Sequence, residues 1–188
     1  YENLFLRKEI AGFRTNIRRE QSCSIKSLTR DYLYEQLLSS GEYTFDHMLV
    51  IKDPYGEAPL TALALFILEE PACVRVTTKG DLKETDFVTE LPKKKEHRVP
   101  ILGMYAEKAN TIVIEILDDE GNCVKSHTFT IRTKRLPKSL RNVITVKKWT
   151  DKPAYSNIMI NGGVKIHTCV FDIEGKIRCL LYTSPSPR

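Results

Sequence analysis

The apolar run LTALALFIL, residues 60–68, limits the fold more than any other stretch of this chain. It is half the length, about 18–20 residues, that an apolar helix needs to cross a bilayer. It follows the loop DPYGEAP, residues 53–59, whose two prolines fix φ and remove two backbone donors. Ala and Leu also favour a buried helix. The flanking prolines, however, leave only about nine residues, and helices usually run longer. We read 60–68 as a core strand fed by a stiff loop. Its lack of polar alternation implies that both faces are covered, or that the strand crosses between two sheets.

The residues that follow fit that reading. Further strands are expected at 73–78, 87–91, 111–117 and 124–132, where β-branched residues and period-2 alternation dominate. Glu69-Glu70-Pro71 is expected to break the first pair, and Lys79-Gly80-Asp81 to turn with Gly80 at positive φ. Residues 118–122, DDEGN, close a hairpin between TIVIEIL and VKSHTFTI. Short strands joined by tight turns, without helices between them, specify a mainly β chain and an antiparallel β-sandwich of immunoglobulin-like type.

Both ends differ in character. Residues 1–42 read as an N-terminal helical segment. A first helix is expected over 3–20, and Ser22–Ser27 is expected to interrupt it. A second starts near Ser27, carries Leu28, Tyr32, Leu33, Gln36 and Leu37 as its stripe, and stops at Gly41 as a left-handed cap. The sandwich then spans 43–133, and a charged, Pro-containing linker covers 134–142. Residues 143–181 hold further strands at 143–147, 158–160, 166–171 and 176–181, the last two flanking the turn Asp172-Ile173-Glu174-Gly175. The tail 182–188, YTSPSPR, starts abruptly inside a continuing strand. It resembles a translated sequencing-library adapter, so it stays out of the fold argument.

The charge pattern gives no nucleic-acid partner. The net charge is +5, but Lys and Arg are spread along the chain, and the dense run Lys93-Lys94-Lys95 meets Glu96 at once. The five cysteines, Cys23, Cys73, Cys123, Cys169 and Cys179, show neither CxxC nor metal spacing. They read as small buried residues, although Cys169 and Cys179 flank a hairpin and face each other in one reading. His97, His47, His127 and His167 lack HxH or HExxH pairing and no GxSxG accompanies them, so no catalytic, cofactor-binding or metal residue is assigned. His97 is expected to serve as a structural hydrogen-bond partner. Asp118-Asp119-Glu120 resembles half a calcium loop but lacks the spacing of one. Tyr55 and Tyr105 are expected to pack at the sandwich edge, the alternative being a surface aromatic patch for a ligand.

The order of segments carries a resemblance. Asp53, Pro54, Tyr55, Pro59, Leu60, Thr61 and Ala62 form a DPY-x-x-x-PLTA loop and strand. His97, Val99, Pro100, Ile101, Gly103, Met104 and Tyr105 form H-x-VPI-x-GMY. Asn110-Thr111 and then Thr133, Leu136 and Pro137 follow. Taken together, residues 43–181 resemble the N-terminal domain and propeller entrance of bacterial aryl-sulfate sulfotransferases. CVFDIEGKIRCLL resembles the family's first-blade turn, with Cys179 where Trp is usual.

The resemblance implies a β-sandwich followed by a six-bladed β-propeller that carries the chemistry. It implies transfer of a sulfuryl group from a phenolic sulfate ester to a phenol acceptor through a sulfated histidine, without a separate cofactor. It also implies an extracytoplasmic setting, periplasm or cell surface, and a homodimer. Six blades need on the order of 240–300 residues, so the reactive histidine is expected beyond Arg188 and this chain is expected to be inactive alone. The alternative is a non-catalytic β-sandwich binding module of a cell-surface protein.

Overall fold

The computed structural model describes residues 22–136, 157–160 and 168–181. The expected helix over 3–20, the strand 143–147, His167 and the tail 182–188 lie outside the described residues. Helix α1 (Ser22–Ser39) is followed by β1 (Leu49–Lys52), β2 (Ala62–Thr78), β3 (Phe87–Ile101), β4 (Ala109–Leu117) and β5 (Cys123–Arg132). A separate three-stranded sheet contains β6 (Asn157–Ile160), β7 (Thr168–Asp172) and β8 (Ile177–Leu181). Every ladder is antiparallel, and the chain is mainly β, as expected.

β2 is the spine of the larger sheet. Its first part pairs with β1 on one side and the end of β3 on the other, Leu63 lying opposite both Ile51 and Pro100. Its second part pairs with the start of β3 and with β4, Val76 lying opposite Thr89 and Ile114. β5 then pairs with β4. The side chains of both parts meet in one core, where Ala62, Ala64, Phe66, Leu68, Val99 and Ile101 pack with Val74, Val76, Ile112, Ile114 and Ile131.

Glu69-Glu70-Pro71 therefore does not end a strand. The register shifts between Ile67 and Ala72 and again between Ala72 and Val74, so the strand continues through a bulge. A bulge accommodates residues left out of the ladder, including a proline that has no N–H to contribute. β3 likewise runs on through Pro92 and the lysines to Ile101, well past the expected end at residue 91. Charge is tolerated because residues 92–96 are exposed. Pro100 is tolerated because β3 lies at the sheet edge, with β2 as its partner.

The apolar run is explained by two layers. Ala62, Ala64, Phe66 and Leu68 face the sandwich core, whereas Leu63 and Leu65 pack with Tyr34 and Leu38 of α1. Both faces of this half of β2 are covered, so no polar alternation appears. The helix docks through a stripe that shares only Leu37 with the expected one. Tyr34 and Leu38 are buried, while Leu28 and Tyr32 are 67% and 64% exposed. Ser22–Ser27 is helical rather than a break. Gly41 does adopt positive φ, at 72°.

Candidate functional site

Three of the motif segments, those carrying Gly103–Tyr105, Asn110 and Thr133, converge on one corner of the sandwich, where the chain leaves β3. Gly103 has φ 75°, and a Cβ there would lie 2.6 Å from Cβ of Phe87, the first residue of β3. Only glycine allows this approach in a left-handed conformation. Asn110 at the start of β4 then holds the corner from within. Its Oδ1 accepts from the Tyr105 N–H at 2.7 Å, and its Nδ2 donates to the carbonyls of Tyr105 at 2.9 Å and Lys108 at 3.1 Å. Thr133, just after β5, donates its hydroxyl to the same Tyr105 carbonyl at 2.5 Å. Asn110 and Thr133 are buried, so these bonds replace water that cannot reach the backbone.

The neighbouring loop completes the frame. Gly80 is not at positive φ, contrary to expectation; an added Cβ would overlap the Thr85 hydroxyl and backbone. The loop is closed by Asp86, whose carboxylate accepts from the Gly80 N–H at 2.8 Å and from Lys79 Nζ at 2.8 Å. Thr85 sits in a short 3₁₀ turn (Lys83–Thr85), fully buried, with its hydroxyl donating to the Leu82 carbonyl at 2.8 Å.

Into this frame the β7–β8 hairpin inserts Arg178, which has no exposed surface. Its Nε donates to the Gly103 carbonyl at 2.6 Å, and its Nη1 donates to the Thr85 carbonyl at 2.6 Å and the Tyr105 hydroxyl at 2.9 Å. The guanidinium lies 4.0 Å from the Tyr105 ring centroid, within cation–π range. The Tyr105 hydroxyl donates onward to Asp172 Oδ2 at 2.8 Å. Asp172 is also fully buried, and its other oxygen accepts from the Glu174 and Lys176 N–H groups at 3.0 Å each, closing the hairpin turn. At the rim, Asp81 accepts from Lys176 Nζ at 2.8 Å and also from Lys108 Nζ.

Burial pushes the Tyr105 phenol up and holds the Arg178 guanidinium below its ordinary value; nearby Tyr105, Asp172, Asp81 and Asp86 oppose the second effect. Hydrogen bonds from Lys108 and Lys176 hold the Asp81 carboxyl below the usual range. Those from Asp81 and Glu174 push Lys176 up. The corner thus carries a charged, hydrogen-bonded network closed to water: it can grip a polypeptide, but it presents no reactive group to a solute.

A second polar cluster ties α1 to the DPYG loop. Tyr34 donates its hydroxyl to the Pro54 carbonyl at 2.6 Å, and Tyr55 donates to Asp31 Oδ1 at 2.6 Å. Arg98 Nη2 donates to the same Asp31 oxygen at 2.5 Å. Asp53 adopts φ 46°, and its carboxylate accepts from the Ala58 N–H at 2.9 Å. Tyr55 and Tyr105 therefore belong to separate clusters, Tyr55 partly exposed and Tyr105 buried.

Of the described histidines, His47 and His127 line one small open cleft with Asp46, while His97 lies apart from them. His97 is 2% exposed, stacks on Phe66 at 5.3 Å and hydrogen-bonds the Lys94 carbonyl through Nε2 at 2.9 Å. That is a structural placement, and burial holds its pKa below 6.5. His127 packs beside Phe45 and Phe129. Among the described residues no group of three or more His, Cys, Asp or Glu is placed to hold a metal ion, and Cys73, Cys123, Cys169 and Cys179 are free. Cys169 lies opposite Leu180, and Cys179 opposite Val170, so the two thiols point to opposite faces of the hairpin. Asp118 closes its own hairpin, accepting from the Glu120 and Asn122 N–H groups at 3.0 and 2.7 Å. An open cleft of about 680 Å³ lies beside the β2 bulge and is lined by no His, Cys or Ser. No helix among the described residues is long and apolar enough to cross a membrane.

Comparison with known families assigns the frame. Residues 49–134 match the family model described as the arylsulfotransferase Ig-like domain. These residues are an arylsulfotransferase Ig-like domain. No curated protein matches the chain. Within the Ig-like domain the motif residues Gly103, Tyr105, Asn110 and Thr133 are the parts of one corner. Their pattern in the sequence marks them without revealing that task. The resemblance places Asp172 and Arg178 in the first-blade turn without a role, and an arginine in the otherwise apolar strand IRCLL is the visible signal of one.

Proposed function

We propose that this chain is the N-terminal scaffold of an arylsulfotransferase, which moves a sulfuryl group from a phenolic sulfate ester to a phenol. The match of residues 49–134 to the arylsulfotransferase Ig-like domain carries this reading. In the proposed reaction an imidazole nitrogen attacks sulfur, the S–O bond to the aryl group breaks and the phenolate leaves. The acceptor oxygen then attacks the sulfur of the sulfohistidine, the N–S bond breaks and the acceptor loses its proton. The nucleophile needs an accessible, unprotonated ring nitrogen and cationic or N–H donors around the sulfuryl oxygens. His97 lacks the access, and His47 and His127 share their cleft with the carboxylate of Asp46, which repels an anionic sulfate ester. We therefore assign the reactive histidine to the part beyond residue 188 of a β-propeller whose first strands include β7 and β8. Phenolic donor, phenol acceptor and homodimeric assembly belong to that complete enzyme.

The test is direct. The purified 188-residue chain, given 4-nitrophenyl sulfate and phenol, is expected to release no 4-nitrophenolate above the protein-free rate. A longer product of the same gene is expected to release it under the same conditions. Turnover by the 188-residue chain would overturn the assignment. An inactive longer product lacking propeller repeats would favour a binding module instead.

A further inference from the structure

The Ig-like domain and the β7–β8 hairpin are joined by groups that neither part can satisfy alone. Arg178 is fully buried, yet two of its three acceptors are backbone carbonyls of the Ig-like domain, Gly103 and Thr85. Asp172 closes its own turn with one oxygen, and its other oxygen receives the Tyr105 hydroxyl. Separating the parts would leave a guanidinium and a carboxylate on the hairpin, and two carbonyls and a phenol on the Ig-like domain, without these partners. A buried polar group must keep its hydrogen bonds.

We infer that the Gly103–Tyr105 corner and the Thr85 turn form a receptor for an Asp-x-x-Gly-x-x-Arg hairpin, and that the arginine is the element recognised. The occupant is the chain's own residues 172–178. The acceptor geometry selects a guanidinium: Nε and Nη1 reach two carbonyls at 2.6 Å each while Cζ lies 4.0 Å from the Tyr105 ring centroid. A lysine offers one nitrogen, with neither the fork nor the flat face. Asp81 adds an exposed bridge across the same junction, from Lys108 of the Ig-like domain to Lys176 of the hairpin. The receptor serves order in the hairpin, and this inference holds whatever chemistry the complete protein performs.

Hydrogen exchange on the full chain tests it, read as opening of the hairpin against opening of the sandwich core. Arg178→Met is expected to speed exchange of the 168–181 amides by about tenfold or more while β2 and β4 keep their protection. Arg178→Lys is expected to behave like Arg178→Met. Tyr105→Phe, a milder change that removes one hydroxyl, is expected to speed hairpin exchange more than β2–β4 exchange. Adding Tyr105→Phe to Arg178→Met is expected to cost less than the sum of the two. Unchanged hairpin exchange in Arg178→Met, wild-type protection in Arg178→Lys, equal acceleration of all strands in Tyr105→Phe, or simple additivity in the double variant would each overturn the inference.

Discussion

At the scale of single residues, the corner depends on groups that tolerate little change. Gly103 and Gly121 both have positive φ, 75° and 85°, but only Gly103 is crowded. A left-handed conformation costs a residue with a Cβ about 1–2 kcal/mol. Gly121→Ala should lose about that much. Gly103→Ala should lose more, because the new methyl must also displace the Phe87 side chain; paired denaturant titrations check the order. Asn110→Ala should cost about 1–3 kcal/mol, since it strips the Tyr105 N–H of its acceptor inside a buried corner. His97 adds a pH dependence. Its folded pKa lies below its ordinary 6.5, so the folded state holds it neutral. That contribution is fully present above 6.5 and is lost as pH falls through the folded value. Melting temperature should therefore drop on acidification below about 6.5, and His97→Phe should flatten that part of the profile. A drop that persists unchanged in His97→Phe would place the titration elsewhere.

At the scale of elements, the strands were legible where alternation or apolar character was continuous and illegible where tertiary pairing overrode local signals. The strand at 111–117 and its hairpin partner at 124–132 were recognisable because both alternate and Asp118 and Gly121 mark the turn. β2 and β3 were read too short because Pro71, Pro92 and the lysine run look like breakers in isolation. In the fold they sit in a bulge or on an exposed edge, where a missing N–H or a charge costs little. The helix face differs from the expected one because α1 docks through Tyr34, which also bonds the Pro54 carbonyl, and through Asp31, which receives Tyr55 and Arg98, contacts that no periodicity reveals. Burial pushes the Tyr34 phenol up to about 12. Tyr34→Phe should cost about 0.5–1.5 kcal/mol, and Tyr34→Ala about 3–5 kcal/mol, since it also opens space over Leu63 and Leu65. Equal costs for the two would show that the ring contributes nothing to docking.

At the scale of the whole molecule, the motifs that carry the family resemblance are mainly architectural. They close the DPYG loop, shape the Gly103–Tyr105 corner and receive Arg178, and none places a nucleophile in the open. The sandwich was readable from sequence, while the joint was not, because its members are separated by up to 95 residues and meet only through the fold. The rim of the joint should respond to acid. The Asp81 carboxyl is held below 3.8 by Lys108 and Lys176, so its contribution is complete above that value and is lost as pH falls through the lower folded pKa. Asp81→Asn should reduce the loss of hairpin protection between neutral pH and pH about 3. An intact-mass measurement after incubation with 4-nitrophenyl sulfate tests the scaffold assignment most directly. The account predicts an unmodified 188-residue chain; a sulfuryl adduct on any of its histidines would contradict it.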